Sequence, residues 1–250
     1  MHDRGLAFDL SRLVGRRGAL GLFGGAVLVG AVGCSTNEEP PATTGQPAAG
    51  QEEIPDETAG PYPGDGSNGP NALSQSGVVR EDIRSSFGSG SGVAEGVPLV
   101  LELNVVNAAG AAVYLWHCDR EGRYSMYSEG VTEENYLRGV QEAGADGRVR
   151  FTTIFPGAYA GRWPHIHFEV YASLAEATAA SDSVKTTQLA FPAEVCAEVY
   201  TTSGYEQSAA NLQGSSLEDD NVFSDGYSAQ LATLTGDATN GYTATLDVRV

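Results

Sequence analysis

The sequence predicts an all-β protein, a β-sandwich core with short helices and long loops, and three observations predict it. Apolar and polar residues alternate over 97–105, 148–153 and 242–250. A further apolar run, Ala111 to His117, follows a turn at Asn107-Ala-Ala-Gly110. Only two short stretches, near Ser173 to Ala180 and Pro192 to Tyr200, carry a helical pattern, the second opening on a proline as a first helical turn tolerates. Residues at i and i+2 of a strand share a face, so alternation marks a strand with one side in a core. Several such strands separated by turns stack as two sheets.

In chain order, Val97, Leu99, Leu101, Leu103 and Val105 form the apolar face of the first strand, and Ala111 to His117 supplies the second. Arg148-Val-Arg-Phe-Thr-Thr153 alternates again. The run from His165 places Ile166, Phe168 and Val170 on one parity, and the C-terminus sets Tyr242, Ala244, Leu246, Val248 and Val250 against Thr243, Thr245, Asp247 and Arg249.

These strands lie in one predicted domain, residues 57–250, long enough to bury a sizeable core. Residues 1–34 read as an export signal. Arg16-Arg17 precedes an uncharged, glycine-rich run from Gly18 to Gly33 that is shorter than the roughly 20 residues of a membrane span, as twin-arginine signals are. Ala31-Val-Gly-Cys34 is similar to a lipobox, in which the cysteine becomes the lipidated first residue. Ala31 stands where Leu is commoner, so simple cleavage stays open, as does a retained anchor. Residues 35–56 are rich in Pro, Gly, Ala, Thr, Gln and acid with almost no large apolar side chain, and read as a flexible tether that holds the domain outside the cell, membrane-bound only through a lipid on Cys34.

The net charge is −18, and the basic leader is included in that sum. A chain without a basic stripe does not bind nucleic acid through its phosphates, so that class is excluded. If Cys34 carries a lipid, Cys118 and Cys196 remain as an even pair in a disulfide-permissive compartment, and both a bond and two free thiols stay open.

The chemistry concentrates in Thr153-Ile-Phe-Pro-Gly-Ala-Tyr-Ala-Gly-Arg-Trp-Pro-His-Ile-His-Phe168 and in Tyr124 upstream. His165 and His167 share one strand face and can reach one ion, although a His-x-His pair by itself is as often structural. A tyrosine ligand implies a strongly Lewis-acidic ion, because a phenol gives up its proton only near about pH 10 in water. Ferric iron suits that role. A cupin-type site would want a carboxylate several residues beyond the second histidine, whereas Glu169 follows by two. His117, beside Trp116 and outside any ligand motif, reads as structural.

Trp116-His-Cys-Asp-Arg-Glu-Gly-Arg-Tyr124, Pro156-Gly-Ala-Tyr159, Arg162-Trp-Pro-His165-Ile-His167 and Thr187-Gln188-Leu-Ala-Phe191 together resemble the signature of the intradiol ring-cleavage dioxygenases, in the form of a secreted, actinobacterial-type member. Glu57-Thr-Ala-Gly-Pro-Tyr62 and Val79-Arg-Glu-Asp-Ile-Arg84 resemble the family's opening segment, so the likeness spans the domain. It implies a non-haem Fe(III) held by Tyr124, Tyr159, His165 and His167, with Tyr159 leaving the metal and taking up a proton as substrate binds. Arg162 is expected to stabilise charge on the substrate, Gln188 to lie near the metal, and Gly60-Pro61-Tyr62 to cover the mouth, where a plain turn is the alternative. The implied reaction is cleavage of a small catechol with O2 to a cis,cis-muconate-type product. One departure is the hairpin at Asn107, shorter than the family's. An exported iron-containing sandwich that binds aromatics or cell-wall polymer without cleaving them is the competing reading. Which catechol is used, and the oligomeric state, stay open.

Overall fold

The computed structural model describes residues 53–106 and 108–250. The expected signal, its lipobox cysteine, most of the tether and Asn107 lie outside them. Eight strands and three short helices follow in order. They are β1 (Pro98–Val105), β2 (Ala112–Trp116), β3 (Arg138–Glu142), β4 (Arg148–Ile154), β5 (His165–Tyr171), α1 (Leu174–Thr178), β6 (Lys185–Ala190), α2 (Ala193–Val199), α3 (Glu206–Leu212), β7 (Thr233–Asp237) and β8 (Gly241–Val248). One sheet runs β4-β1-β8-β7, the other β3-β2-β5-β6, and only β1 and β8 pair parallel. This is the all-β sandwich that the alternation predicts.

The core lies between the sheets. Leu99, Leu101 and Leu103 of β1, Phe151 of β4 and Ala244 of β8 face Val113 and Leu115 of β2, Ile166, Phe168 and Val170 of β5, and Leu189 of β6. The second sheet is therefore apolar inward, and its outer face is also buried, under loops rather than another sheet. Tyr114, Trp116 and Val140 point out there, packed with Tyr124 and Tyr159 from those loops. β5 is buried at all seven positions for this reason.

The two expected helices occur, the first capped by Ser173 Oγ accepting from Glu176 N and the second starting behind Pro192. β3, β6, β7 and α3 were not read from sequence. Lys185-Thr-Thr-Gln-Leu-Ala190 buries polar residues on both faces and so shows no alternation.

One boundary is corrected. The domain begins before residue 57: Ile54, within the expected tether, is 1% exposed in the core, and its N–H donates to Arg249 O at 3.0 Å. Lys185 pairs with Glu53 and Asp56, and Glu57 N–H donates to Thr186 O, so this segment runs beside β6. Composition hides this because one apolar residue among polar ones is enough to anchor it. Ile54→Ala is expected to cost about 2–5 kcal/mol of unfolding free energy in urea titration, as other buried aliphatic truncations do, and a loss under about 0.5 would place Ile54 outside the core.

The question left open at the cysteines is settled as well. Cys118 and Cys196 are both buried free thiols. The Cys118 thiol donates to Gly157 O at 3.3 Å, and burial pushes both thiols well above the ordinary range, so neither is a thiolate.

Candidate metal centre and active site

A single row of paired residues crosses the outer face of the second sheet. Arg138 of β3 lies opposite Trp116 of β2, Trp116 opposite His167 of β5, and His167 opposite Gln188 of β6. Cross-strand neighbours on one face stand close enough for their side chains to touch. The Trp116 and His167 rings stack with centroids 5.0 Å apart and planes 3° from parallel, which fixes the imidazole's plane.

His165 stands two residues before His167 on the same face. Its Nδ1 lies 2.5 Å from Trp163 O, and a carbonyl only accepts, so Nδ1 carries the proton and Nε2 presents its lone pair. That Nε2 is 3.1 Å from His167 Nε2 and 3.4 Å from the Tyr159 hydroxyl. Burial first, then the Arg162 guanidinium, holds His165 well below the usual imidazole range; burial, His165 and Arg162 do the same to His167. Both rings are neutral, as ligands must be.

The two tyrosines arrive on loops that glycine allows to meet. Gly122, at φ +85°, lies where a Cβ would come within 2.7 Å of Ala158 O, and a Cβ on Gly157 would come within 2.5 Å of Asp119 O. The Tyr124 loop is held by buried Asp119, which accepts from the N–H groups of Glu121 and Arg123, from the Arg123 side chain and from Tyr136 OH. The Tyr159 turn is clamped from α3, where Ser208 Oγ accepts from Ala158 N–H and Asn211 Nδ2 donates to Ala158 O. Tyr124 and Tyr159 then sit edge to face at 5.7 Å.

The Tyr124 hydroxyl is buried and makes no hydrogen bond. Burial, then Tyr159 and Cys118, pushes its phenol well above the usual range, opposed by Arg162 and Arg138. A buried, unpartnered phenol beside two neutral imidazoles is a costly arrangement unless something completes it. Among the described residues no three His, Cys, Asp or Glu side chains gather to hold a metal, so any ion here would need the tyrosines. Two nitrogens and two phenolate oxygens suit a hard, highly charged cation such as ferric iron. The donor set fits.

Gly60-Pro61-Tyr62 lies over this centre. Gly60 has φ +69°, and a Cβ there would be 3.2 Å from His167 Cε1, so glycine both makes the turn and lets the backbone rest on the ligand ring. Tyr62 packs on Tyr124 at 4.8 Å and on Tyr127 at 5.3 Å.

Arg162 is buried rather than exposed. Its Nη1 donates to Tyr159 OH at 3.2 Å, its Nη2 to Gln188 Oε1 at 2.6 Å and its Nε to Asp220 Oδ2 at 2.9 Å. Gln188 passes the link on, donating from Nε2 to Thr58 O, so its amide joins the arginine to the covering strap. Asp220, which also accepts from the N–H groups of Trp163 and Val222, went unrecognised in the sequence because it ends an acidic run that looks solvated. Glu169 is engaged elsewhere, by Tyr171 OH and Thr186 Oγ1, and stands apart from the centre. His117 is structural: both ring nitrogens are bonded, to Cys118 O and Thr153 Oγ1, and burial lowers it to about 4.

Two histidines and two tyrosines thus lie buried together on the outer face of the second sheet. The family model described as Dioxygenase matches residues 69–201. Among solved structures, an intradiol ring-cleavage dioxygenase from Tetranychus urticae is 22% identical, with 79% of this chain and 94% of that chain covered at a TM-score of 0.63. The dioxygenase domain of a dioxygenase and carbohydrate-binding protein fusion from Streptomyces sp. SirexAA-E is 24% identical, with 80% and 98% covered at 0.51. These likenesses show the fold. The chain belongs to the intradiol ring-cleavage dioxygenase family, oxidoreductases that open catechol-type rings.

Proposed function

We propose that this enzyme cleaves a small catechol between its two hydroxyl-bearing carbons with O2, at a non-haem Fe(III) held by Tyr124, Tyr159, His165 and His167, yielding a cis,cis-muconate-type product. The observation that carries the reading is the approach of Tyr159 OH and His167 Nε2 to the bare His165 Nε2, beside a Tyr124 hydroxyl with no partner. Ferric iron, when bound, would supply a Lewis-acidic centre that stabilises phenolates and catecholates near neutral pH.

The protein's own groups then divide the work. His165 and His167 are fixed in plane and tautomer by Trp163 O and Trp116. Tyr159 Oη, as the phenolate that a bound ferric ion would stabilise, would accept a substrate hydroxyl proton. Because Ala158 is bonded at both its N–H and its C=O, such a step uses rotation of the tyrosine side chain rather than movement of the turn. Arg162 supports that oxygen and lends positive charge where the ring becomes electron-rich. The Gly60-Pro61-Tyr62 strap keeps bulk water from the centre.

The first 34 residues supply the rest of the reading: export through a twin-arginine-type signal, with the domain released or held at the outer membrane face by a lipid on Cys34. Lignin- or plant-derived catechols are the substrates such a location would meet.

The test is the visible spectrum of the purified, ferric-loaded protein before and after adding catechol in air, with O2 uptake followed in parallel. A tyrosinate-to-iron band that shifts with catechol and decays as O2 is consumed is expected. A shifted band that persists without O2 uptake, across a panel of catechols, would favour a binding protein, and no band would remove the ligand set.

A further inference from the structure

Arg138 is a buried cation that none of the roles above uses. It is 1% exposed, and among the described residues its guanidinium donates to carbonyl and hydroxyl oxygens rather than to a carboxylate. Taking a guanidinium out of water without a counter-ion is costly, so its donors need other acceptors. It has them on two separate segments. Nη1 donates to Pro63 O at 2.8 Å and Nη2 to Tyr62 O at 3.0 Å, both in the strap over the centre. Nε donates to Ser125 Oγ at 3.1 Å and Nη2 again to Ser125 O at 2.9 Å, in the loop that carries Tyr124. Tyr114 OH backs the fork, donating to Pro63 O while accepting from Nη1. The face of Tyr127 lies over the guanidinium carbon at 5.4 Å.

The backbone around this contact is strained on both sides. Leu137, immediately before Arg138, has φ 57°, and Met126, immediately after Ser125, has φ 70°. Left-handed geometry at a residue with a side chain is costly and is held only where surrounding contacts impose it. Here it accompanies an arginine aimed into the sheet's outer face, at the end of the row that contains His167.

We propose that Arg138 is a positioning residue that sets the register of the 60–63 strap against the Tyr124 loop, so that one guanidinium determines both how the centre is covered and how Tyr124 is presented to it. A planar fork with several fixed donors can hold two walls at once; a lysine keeps the charge but not the geometry. The proposal rests on the reading of Tyr124 as an iron ligand, and the wild-type spectrum tests that reading separately.

The experiment compares wild type, Arg138→Lys and Ser125→Ala, each purified as the full chain and loaded with ferric iron. It records the visible band, the thermal midpoint, and KM and kcat for catechol. Arg138→Lys is expected to shift the band and raise KM about tenfold, with kcat falling less than about threefold, the size of losing one or two charged hydrogen bonds. Ser125→Ala removes the Nε acceptor, together with the hydroxyl's own bond to Tyr136 O, but leaves the Nη contacts, and is expected to shift the band with about a threefold rise in KM, as loss of one such contact implies. A wild-type band and KM in folded Arg138→Lys would overturn the proposal, because they would make the charge sufficient without the fork. Should Arg138→Lys fail to fold, Ser125→Ala decides: a wild-type band and KM there would overturn it. Absence of any band in the wild type would instead strike the iron–tyrosinate reading.

Discussion

A His167→Phe variant is expected to lose bound iron, visible colour and ring cleavage together while keeping its fold. Phenylalanine preserves a ring to stack on Trp116 and to fill the space under Gly60, but it has no lone pair for a metal. Loss of the contacts that merely orient a ligand costs about 10- to 100-fold in affinity or activity, so losing the ligand nitrogen should exceed that. Iron content, absorbance and O2 uptake would be read against a circular-dichroism melt. Retained iron and colour in the folded variant would show that His167 is not a ligand.

The second large effect is at Arg162, and Asp220 changes how it must be measured. Arg162→Leu alone strands a buried carboxylate, and breaking a buried ion pair from one side costs about 3–5 kcal/mol. The double variant Arg162→Leu with Asp220→Asn removes both charges and keeps one acceptor oxygen, so Val222 N–H retains its partner while Trp163 N–H, which Asp220 accepts on its other oxygen, loses one. It is expected to fold, bind iron and show colour, with kcat down about 100- to 1000-fold, as when a preorganised donor is deleted from a charged transition state. Turnover within about threefold of wild type would assign the arginine to structure only, since catalysis by such groups is worth far more.

The face that His165 and His167 share was legible in the sequence because it depends on short spacing, whereas the two tyrosines were named as ligands only through the family resemblance. Strand parity places His165 and His167 together, and Pro156-Gly157 marks the turn before Tyr159. What could not be read depends on contacts between distant segments. Arg138 gives no apolar signal, and its partners at residues 62 and 63 are remote in the chain. Asp220 hides among acids, and Ser208 and Asn211 acquire meaning only because α3 happens to pack on the Tyr159 turn. Gln188, expected to lie near the metal, pairs across the strands with His167, and both ends of its amide are taken by Arg162 and Thr58. Ile54 was lost to the composition around it. In each case the missing information was the identity of the partner, which local pattern does not carry.

The mutual clearance of Gly122 and Gly157 has a consequence for anyone altering this enzyme's selectivity. Each glycine makes room for the backbone of the other's loop, so the two loops fit each other as a pair. A library that diversifies residues 119–123 alone would be filtered by fit to an unchanged 157–160 turn, and most of its members would fail before meeting a substrate. The exchangeable part is the pair of loops together with Ser208, whose side chain bonds both Ala158 N–H and Arg120 O. Transplanting that unit whole from a relative is the move that would import a new pocket wall with its tyrosines already in register.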